Sequence, residues 1–557
     1  MNCKNYQNKL TLYHDLRWLR DVDMYKSFPA KDAFRCPKAD MEHHYVEQLE
    51  KFGVARKIPR SSVKGFCKMF TVVEYFKQRK RPIKNTIDIN DFFGKESLRK
   101  MKLVTKSGIC NLVNEGTHFV QFDFMAWYDQ LRYGPGVGEF FCFRSGGHYY
   151  CLDRLAMGQR QAVEVAQAIT EVLIDFEDRK CAVAHGVIDN VIFVGSEEAV
   201  RHDAQRFIER CNEIGALLND ADQFKDGVDS IIQTSGEWCG VHLDMVAKTV
   251  KITEKTHSKF EASWKNRDSW TWRQFAAHIG LLFWTWGILQ IPIEQYYPLL
   301  RFLSNTGRIL QQDESLWDKP AKIDKSAMEK IQEWTSLAVA NEPRKVKLSS
   351  KPSWYISTDA SKWGWGYVAF NSATGEIQCH GERWSKAQLS AIFSREGRQK
   401  IGKSVYSEPL AVILSLRHLL RTKQDSAAVS IPDDLRQLIH VACDNSSTVN
   451  LFNKGFASRS YDINMMIQEL ESDFPKTHFD IRMIHVEGKN NLGDGFSRGK
   501  SSNANAEDGH KTVVVENFKR IWDQNFVPPP AYEDSTRTPA PFIPLQERVN
   551  NNTSNTC

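Results

Sequence analysis

Apolar and polar residues alternate in the stretch HFVQFDF, which begins at His118. Val120, Phe122 and Phe124 fall on one face of the resulting strand, and Asp123 falls on the other. This pattern predicts a strand that carries an acid on its polar side.

Helical spacing of apolar residues flanks a second strand-like stretch. Residues 160–176 and 199–211 repeat apolar residues at helical intervals, and Gly215 suits a C-cap. Between them, the sequence GVIDNVIFVG predicts a β-hairpin whose two-residue connection is Asp189 and Asn190, because both residue types tolerate positive φ.

The order strand, helix, hairpin, helix, strand predicts a ferredoxin-like sheet within an α/β (α+β) fold. In such a sheet the first strand and the hairpin lie side by side, which would bring Asp123 and Asp189 together. Two neighbouring carboxylates could clamp two Mg²⁺ ions about 3.5–4 Å apart for phosphoryl transfer. Taken singly, each acid is better explained as a solvated strand-end or turn residue.

Beyond about residue 341 the pattern restarts and places four more acids at element ends. Glu408 suits a helix dipole and Asp444 suits an N-cap, so each has an ordinary alternative explanation. The four are Asp359 in the hairpin pattern WYISTDASKWGWGYVAF, Glu408 at the start of the periodic helix SEPLAVILSLRHLL, Asp444 after the strand LIHVAC, and Asp494 after a loop.

Two further regions have distinct compositions. Residues 246–342 are rich in tryptophan and predict helices, in which Trp270, Trp272, Trp284 and Trp286 could stack on bases, although such aromatic stripes more often form a core. Residues 501–557 are rich in Pro and Asn and predict a largely disordered tail, apart from a short helix around 513–522.

Charge and cysteine usage narrow the function classes. Of the 557 residues, 55–104 contain fourteen Lys/Arg against four Asp/Glu, which favours a polyanion as partner although the whole chain carries only +6. The twelve cysteines include no C-x-x-C pair, which argues against zinc sites and disulfides. The chain has no apolar run of about eighteen residues and no leader-like start. We therefore expect a soluble intracellular protein that does not associate with a membrane, in either the nucleus or the cytoplasm.

Taken together, the first set of motifs resembles the right-hand polymerase of retroelement reverse transcriptases. In that family the catalytic Asp is followed five positions later by an aromatic residue that excludes ribonucleotides, as Asp123 is by Tyr128 here. The resemblance implies that Asp123 and Asp189 bind the metal ions. It further implies the substrate-binding residues Lys77, Arg81, Tyr128, Gln130, Met157, Gly158 and Asn190, with Lys80 as an alternative to Lys77, and a primer grip at Trp238 and Gly240 in EWCGVHLD.

The second set resembles the ribonuclease H domain of the same elements, because TDAS, SE, DN and the final SR match its motifs. The resemblance implies a second pair of Mg²⁺ ions at Asp359, Glu408, Asp444 and Asp494, which would cut the RNA strand of a hybrid. Among retroelements, the chain is most similar to tyrosine-recombinase (DIRS-like) elements such as VIPER of trypanosomatids. The implied partners are an RNA template, a DNA primer, the RNA–DNA hybrid and dNTPs, with an element-encoded recombinase or capsid-like protein as a further candidate.

Several positions depart from the family pattern. Asn190 stands where a second Asp is usual, Met157 where Phe or Gln is usual, and Val163 where Pro is usual. Loss of one charge should weaken metal binding, so we expect a site that responds to Mn²⁺, with inactivity as the alternative. Lys489 replaces a mobile His found after the Gly in cellular ribonucleases H, which predicts altered product release.

These observations leave two alternatives to an active polymerase with ribonuclease H, and they predict an order of domains along the chain. One alternative is a decayed or domesticated nucleic-acid-binding protein, and the other retains ribonuclease H activity alone. The predicted order comprises an N-terminal extension (1–54), fingers and a ferredoxin-like palm (55–245), a helical thumb or connection (246–342), a mixed-sheet ribonuclease H-like domain (343–500) and the tail (501–557).

Overall fold

The structure is a computed structural model, and it shows a mixed α/β protein with many helices and several antiparallel sheets. It describes residues 5–26, 28, 42–74, 79–93, 101, 103–396, 405–424, 435–455, 461–476, 478–499, 518 and 521. The chain divides into two compact units. Unit 1 comprises the described residues within Met1–Val104, Glu115–Cys239 and Asp244–Val246, and unit 2 comprises those within Thr105–Asn114, Gly240–Leu243 and Ala247–Cys557.

The helices lie in both units. They are α1 (Tyr6–Arg20), α2 (His43–Lys51), α3 (Ile87–Asn90), α4 (Lys106–Asn111), α5 (Trp127–Gln130), α6 (Ala162–Ile174), α7 (Glu197–Ile214), α8 (Glu254–Lys265), α9 (Trp272–Leu289), α10 (Tyr297–Gln312), α11 (Lys325–Ala340), α12 (Lys386–Glu396), α13 (Ser407–Gln424), α14 (Ser446–Lys454), α15 (Tyr461–Asp473) and α16 (Asp494–Ser497).

The strands are distributed in the same way. They are β1 (Ala55–Ile58), β2 (Lys68–Glu74), β3 (Arg79–Asn85), β4 (His118–Asp123), β5 (Cys142–Ser145), β6 (His148–Leu152), β7 (Val183–Val187), β8 (Asn190–Gly195), β9 (Ser235–Trp238), β10 (Val241–Asp244), β11 (Thr249–Ile252), β12 (Arg344–Lys345), β13 (Leu348–Ala360), β14 (Gly364–Asn371), β15 (Ile377–Arg383), β16 (Leu435–Cys443) and β17 (Phe479–His485).

In unit 1, an antiparallel sheet of order β4-β8-β7 lies with α6 and α7. The predicted strand and both predicted helices are present, and Gly215 caps α7 with φ 70°. As the alternation predicts, Val120 and Phe122 are buried while Asp123 is exposed, but Phe119, on the same face as Asp123, is also fully buried. The apolar side of β4 therefore faces the core, and its polar side carries the acid.

The hairpin turn is shifted by one residue from its predicted position. Val187 pairs with Asn190 across the hairpin, so the two turn residues are Ile188 and Asp189, and Asn190 belongs to β8. Positive φ occurs at Ile188, at 61°, rather than at the two residues expected to tolerate it. A β-branched residue is strained there, so tertiary contacts must hold the turn.

The N-terminal helix is part of the core of unit 1. Trp18 and Leu19 of α1 and Tyr25 beyond it are buried with side chains from α6 and from β4. The backbone N–H of Asn5 donates to the carboxylate of Asp175 at 2.8 Å, which joins the start of α1 to the end of α6. The described residues before position 54 thus fold together with the sheet.

Two smaller sheets complete the strand pairings described within unit 1. One is antiparallel with the order β1-β6-β5, and the other is the β2–β3 hairpin. This hairpin carries the basic run, with Arg81 paired to Val72. Lys77 lies outside the described residues.

Unit 2 begins with helices, as predicted for residues 246–342. Helices α8, α9 and α11 pack on one another, and α10 packs on α11. Trp334 is fully buried between them and Trp270 is 3% exposed, while Trp284 is 43% exposed. The core interpretation therefore holds for Trp270, whereas Trp284 reaches solvent.

The rest of unit 2 is built on a five-stranded mixed sheet of order β15-β14-β13-β16-β17. Strands β13, β14 and β15 pair in antiparallel fashion, while β16 pairs in parallel with β13 and with β17. Helix α13 packs on β13 and β14, and α14 packs on β17. Because β13 is central, its residues 356–360 are buried on both faces.

Three further findings bear on the sequence expectations. Phe518 and Ile521, from the predicted tail, are buried beside Val368 and Ala442 of the mixed sheet. The described cysteines are free thiols, and most of them are buried. In the described part of the chain, no helix combines the length and the apolar character needed to cross a bilayer.

Two candidate acidic sites

Strand pairing in unit 1 brings the first two acids together. Asp123, the last residue of β4, lies opposite Asn190, the first residue of β8. The backbone N–H of Phe124 donates to the carbonyl of Asp189 at 2.9 Å, so Asp123 and Asp189 flank one backbone contact. Asp123 is exposed and Asp189 half-buried, which leaves both carboxylates open to a ligand.

Each of these carboxylates accepts a hydrogen bond from an asparagine amide. Asn190 Nδ2 donates to Asp189 Oδ1 at 2.9 Å, and Asn219 Nδ2 donates to Asp123 Oδ2 at 2.7 Å. Asn219 also donates its backbone N–H to the Asp123 carbonyl at 2.8 Å. Sequence reasoning missed Asn219, because nothing local to it indicates a neighbour 96 positions earlier.

Side chains of α6 hold the strained turn. Gln167 is 1% exposed and forms two hydrogen bonds with the hairpin, donating to the Gly186 carbonyl at 2.8 Å and accepting the Ile188 N–H at 2.7 Å. The hydroxyl of Thr170 lies 2.5 Å from the Ile188 carbonyl and 3.1 Å from the Ala166 carbonyl. The backbone on both sides of Ile188 is therefore fixed by α6, and this sets the position of Asp189.

Tyr128 and Gln130 have different environments. Tyr128 is half-buried, and burial together with the charge of Asp189 raises the pKa of its phenol to about 12, so it stays protonated. Gln130 donates to the carbonyls of Met125 and Leu217 and accepts the Leu217 N–H at 2.7 Å. Both ends of its amide are engaged by backbone, so Gln130 braces the loop, and its expected substrate contact stays a prediction.

The loop of residues 155–161 presents Met157 to solvent, with 51% of the residue exposed. At Gly158 a side chain has no room, because a Cβ would lie 2.4 Å from the Lys84 carbonyl. The Gly158 carbonyl also accepts a hydrogen bond of 2.9 Å from Asn90 Nδ2. Close backbone approach thus explains glycine here. Val163, where the family usually has Pro, lies within the first turn of α6.

The basic residues of the β2–β3 hairpin are partly engaged within unit 1. Arg81 is half-buried, Lys80 forms an ion pair with Glu42, and Lys84 forms one with Asp129. Lys84 is only 7% exposed and lies beside the loop of residues 155–161. The sequence analysis did not single out this lysine. Lys77, which was expected to bind substrate, lies outside the described ranges.

The stretch expected to form a primer grip contains a tight turn. Cys239 and Gly240 separate β9 from β10 with φ of 46° and 79°, as a two-residue hairpin turn requires. Trp238 is 2% exposed and belongs to the interior. In unit 2, a Cβ on Gly240 would lie 2.8 Å from the ring of Trp284, and the Lys106 ammonium lies 3.3 Å from the centroid of that ring.

The second site, in unit 2, is centred on Asp359 near the end of β13. Asn491 Nδ2 donates to Asp359 Oδ1 at 3.1 Å, and the Ser497 hydroxyl donates to Asp359 Oδ2. Asn491 Nδ2 also donates to the Thr358 carbonyl at 3.0 Å, and Asn491 Oδ1 accepts from the Ser357 hydroxyl at 2.7 Å, so its amide is fixed against the end of β13. The sequence analysis included Ser497 in the final SR of the motif but predicted no contact with Asp359 for it or for Asn491.

Glu408, Cys443 and Asp444 form the tightest cluster of possible metal ligands among the described residues, with one ligand atom of each within 4.8 Å of the others. The Cys443 thiol lies 3.7 Å from Glu408 Oε2. Asn445, not Asp444, is the N-cap of α14, so capping does not explain Asp444. Cys443 was not predicted.

Charge repulsion and burial act together on these acids. Burial, with the charges of Asp359 and Asp444, raises the pKa of Glu408 to about 9, and burial, with the charges of Asp444 and Asp494, raises the pKa of Asp359 to about 6. The pKa of Asp444 is also raised, chiefly by burial. The four carboxylates therefore interact, and a bound cation would favour their ionised forms.

Asp494 lies at the rim of this cluster. It begins α16 and forms an ion pair of 2.6 Å with Arg498. His485 is the last residue of β17, and its Nε2 lies 3.0 Å from the Asp444 carbonyl. Lys489 is exposed and pairs with Glu487 at 2.6 Å.

The donor sets suit a hard divalent cation. Carboxylate oxygens are the ligands that Mg²⁺ prefers, and both sites offer more than one. The unit 2 site adds a thiol, a softer donor than Mg²⁺ uses. The unit 1 site has fewer negative charges, since Asn190 supplies an amide where an acid was expected.

Comparisons with known proteins give a distant likeness. A foamy viral protease-reverse transcriptase (dRH) solved with double-stranded DNA has a TM-score of 0.45 and 12% identity, over 86% of this chain and 79% of that chain. The foamy viral protease-reverse transcriptase with an RNA/DNA hybrid gives 0.45 and 12%, over 86% and 61%. With double-stranded DNA it gives 0.43 and 12%, over 86% and 94%. No protein-family model and no curated protein sequence matches this chain.

Proposed function

We propose that this chain is an RNA-directed DNA polymerase that also has ribonuclease H activity. It would copy the RNA of a DIRS-like retrotransposon into DNA and degrade the RNA strand of the resulting hybrid. Its partners would be an RNA template, a DNA primer and dNTPs, and an element-encoded recombinase or capsid-like protein is a further candidate.

One observation carries the proposal: each compact unit gathers its own set of acids from segments distant in sequence. Asp123 and Asp189 meet through the pairing of β4 with the hairpin. Asp359, Glu408 and Asp444 interact in the mixed-sheet part of unit 2. Two-metal phosphoryl transfer needs such clusters, and a single exposed acid does not supply one.

In the proposed polymerase site, unit 1 acts as a right-hand palm and fingers. Asp123 and Asp189 would hold the cations, and Arg81, with Lys77 or Lys80, would neutralise the triphosphate of the incoming nucleotide. The Tyr128 ring, half-buried beside Asp189, would occupy the space of a ribose 2′-hydroxyl. Met157 and Gly158 would contact the nucleotide from the exposed tip of their loop.

In the proposed ribonuclease H site, the chain's own residues orient the acids. Asn491 donates to one oxygen of Asp359, and the Ser497 hydroxyl donates to the other. Asp494, less buried and paired with Arg498, would complete the set at the rim. The helical part of unit 2, residues 246–342, would act as thumb or connection.

Mg²⁺, or Mn²⁺ in its place, fits the oxygen-rich donor sets of both sites. When bound, two such ions would supply charge stabilisation for the attacking and leaving oxygens. Asp123 and Asp189 would hold them in unit 1, and Asp359, Glu408, Asp444 and Asp494 would hold them in unit 2.

A paired activity assay tests the proposal. The full chain would be tested for primer extension on an RNA template and for cleavage of a labelled RNA–DNA hybrid, each with Mg²⁺ and with Mn²⁺. Asp189→Asn should lower extension by on the order of a hundredfold or more while sparing cleavage, and Glu408→Gln should do the reverse. Asp222→Asn, an exposed acid in unit 1, is the control. Equal extension by Asp189→Asn and the parent would refute the polymerase assignment.

A second candidate is a nucleic-acid-binding protein that no longer polymerises and retains at most ribonuclease H activity. The amide contacts of the unit 1 site favour it, because Asn190 and Asn219 already satisfy oxygens of the two acids. The same assay separates the candidates: cleavage without extension under either cation supports ribonuclease H alone. Binding of the hybrid without either reaction supports a pure binding protein.

A further inference from the structure

A buried chain of hydrogen bonds joins the N-terminal segment, residues 6–25, to the loop of residues 155–161. The Tyr25 hydroxyl donates to the Trp18 carbonyl at 2.7 Å and accepts from Gln159 Nε2 at 3.0 Å. Gln159 Oε1 accepts from the Tyr133 hydroxyl at 2.6 Å, and that hydroxyl accepts the Ala156 N–H at 3.0 Å. Gln159 Nε2 also lies 3.5 Å from Gln161 Oε1 within the same loop.

These groups lie deep inside unit 1. Tyr25 is 1% exposed, and Gln159 and Tyr133 are also buried. A buried network of this kind fixes geometry, because loss of one member leaves its neighbours without partners where water cannot replace them. Packing alone would not explain why a glutamine lies between two tyrosine hydroxyls.

Aromatic packing provides a second route from the N-terminal segment to the same loop. The ring centroids of Trp18 and Phe93 are 5.3 Å apart, and those of Tyr25 and Phe140 are 4.9 Å apart in a stacked arrangement. The carbonyl of Phe93 accepts a hydrogen bond of 2.8 Å from Arg160 Nη1. The loop is thus contacted twice from the side on which the N-terminal segment packs.

The β2–β3 hairpin and α3 also contact the loop. The Lys84 carbonyl lies against Gly158, and Asn90 hydrogen-bonds with the Gly158 carbonyl and the Arg160 N–H, each at 2.9 Å. Beside these two sets of contacts, the loop exposes its tip at Met157. The position of that tip depends on both sets of contacts together.

We infer that the N-terminal segment is a positioning element of the candidate nucleotide site, and that it acts through Tyr25 on Gln159 to hold the loop of residues 155–161. This inference rests on the proposed polymerase function, in which Met157 and Gly158 contact the incoming nucleotide. Tyr25 and Tyr133 are positioning residues, since their hydroxyls face Gln159 and not the site.

Amide hydrogen exchange tests the anchor independently of any activity. Tyr25→Phe removes one hydroxyl and keeps the ring, and Tyr150→Phe is the matched control, a buried tyrosine of unit 1 whose hydroxyl has no partner among the described residues. Exchange in residues 155–161 should rise about tenfold in Tyr25→Phe and in Tyr133→Phe. It should stay at the parent rate in Tyr150→Phe, and exchange in β4 and β8 should not change in any variant.

Nucleotide kinetics test the consequence for the site. In primer extension, Tyr25→Phe should raise the KM for dNTP about fivefold to tenfold with kcat within about twofold, because the loop is displaced while the acids are not. Hybrid cleavage should equal that of the parent. A purely structural effect would lower the active fraction, and hence kcat, without changing KM.

The outcomes separate the two proposals. Unchanged exchange of residues 155–161 in both tyrosine variants overturns the anchor, whatever the activity of the parent. Faster exchange with an unchanged KM also overturns it as a determinant of nucleotide binding. If the parent fails to extend a primer, the polymerase proposal falls, while the exchange data still decide whether the segment holds the loop.

Discussion

The hydroxyl of Thr170, on α6, lies 2.5 Å from the carbonyl of Ile188, the first residue of the turn that carries Asp189. Ile188 has a φ of 61°, which a β-branched residue adopts only under restraint. Contacts from the helix therefore hold the strained backbone that positions Asp189, a candidate metal ligand. Substitutions on the helix should displace this acid.

Thr170→Val should lower primer extension by about tenfold or more, because small displacements of a reacting group carry large rate penalties. Valine matches threonine in shape but cannot donate to the Ile188 carbonyl. Thr170→Ser keeps the hydroxyl and should retain most extension. Steady-state extension is the measurement, with hybrid cleavage as the internal reference. Extension by Thr170→Val at the rate of Thr170→Ser would show that the hydroxyl does not position Asp189.

Asn190→Asp should increase Mg²⁺-dependent extension and lower the ratio of Mn²⁺ to Mg²⁺ activity. Asn190 lies directly opposite Asp123, and its amide donates a hydrogen bond to an oxygen of Asp189. An acid there adds a charged oxygen ligand and removes that amide donor. Extension rates measured over a range of each cation would show the change.

The matched control for Asn190→Asp is Asn212→Asp, which adds the same charge at an exposed position on α7. It should leave the cation preference unaltered. If both variants shifted the preference equally, the effect would come from net charge and the site assignment would lose its support.

The cation-free protein should become less stable as pH rises from about 5 to about 9, with Glu408 as a main cause. Its pKa is raised from 4.5 to about 9 by burial and by neighbouring acids, so the folded state keeps a proton that the unfolded chain releases. The contribution of Glu408 to stability is therefore complete below about pH 4.5 and declines through this window, with a slope of up to about 1.4 kcal/mol per pH unit for one proton.

Glu408→Gln should flatten this profile and raise the melting temperature at pH 8, although it abolishes hybrid cleavage. Thermal unfolding with chelator at several pH values is the measurement. Adding Mg²⁺ at pH 8 should stabilise the parent more than the variant, because the cation favours ionised carboxylates. Glu261→Gln, at an exposed position on α8, is the control. A parent profile as flat as that of Glu408→Gln would contradict the coupling among the acids.

Lys476→Met should destabilise unit 2 through Glu294, which is fully buried. Lys476 Nζ lies 2.8 Å from Glu294 Oε2 and joins the helical part of unit 2 to the segment after α15. Removing the ammonium leaves a buried acid without its cation, at a cost of roughly 1–3 kcal/mol, since the lysine itself is partly exposed and screened. Urea unfolding of the full chain would measure the loss.

Adding Glu294→Gln to Lys476→Met should recover part of that stability, because the buried charge is removed. Lys325→Met is the control, since its ion pair with Glu329 is solvent-exposed and should contribute less than about 1 kcal/mol. Equal losses from Lys476→Met and Lys325→Met would show that burial of Glu294 carries no penalty.

Local patterns in the sequence were sufficient for much of the secondary structure. The spacing of apolar residues predicts the strand that ends at Asp123, the helices α6 and α7, and helix α13, which carries Glu408 in its first turn. These predictions of secondary structure succeed because the period of a strand or helix is set by neighbouring residues along the chain.

Positions that depend on distant residues could not be predicted in this way. Asn219 and Asn491 donate to the acids from segments far along the chain, and the amide of Gln130 hydrogen-bonds with backbone groups. The hairpin turn moved to Ile188 because Gln167 and Thr170 compensate for a backbone conformation that isoleucine alone disfavours.

The sequence by itself therefore determined which acids exist and which elements carry them, since identity and periodicity are local properties. Only the tertiary structure decided which acids meet, which amides occupy them and how the N-terminal segment supports a loop more than a hundred residues away. The physical reason is that hydrogen bonds and charge interactions act over a few ångströms in space, whatever the separation along the chain.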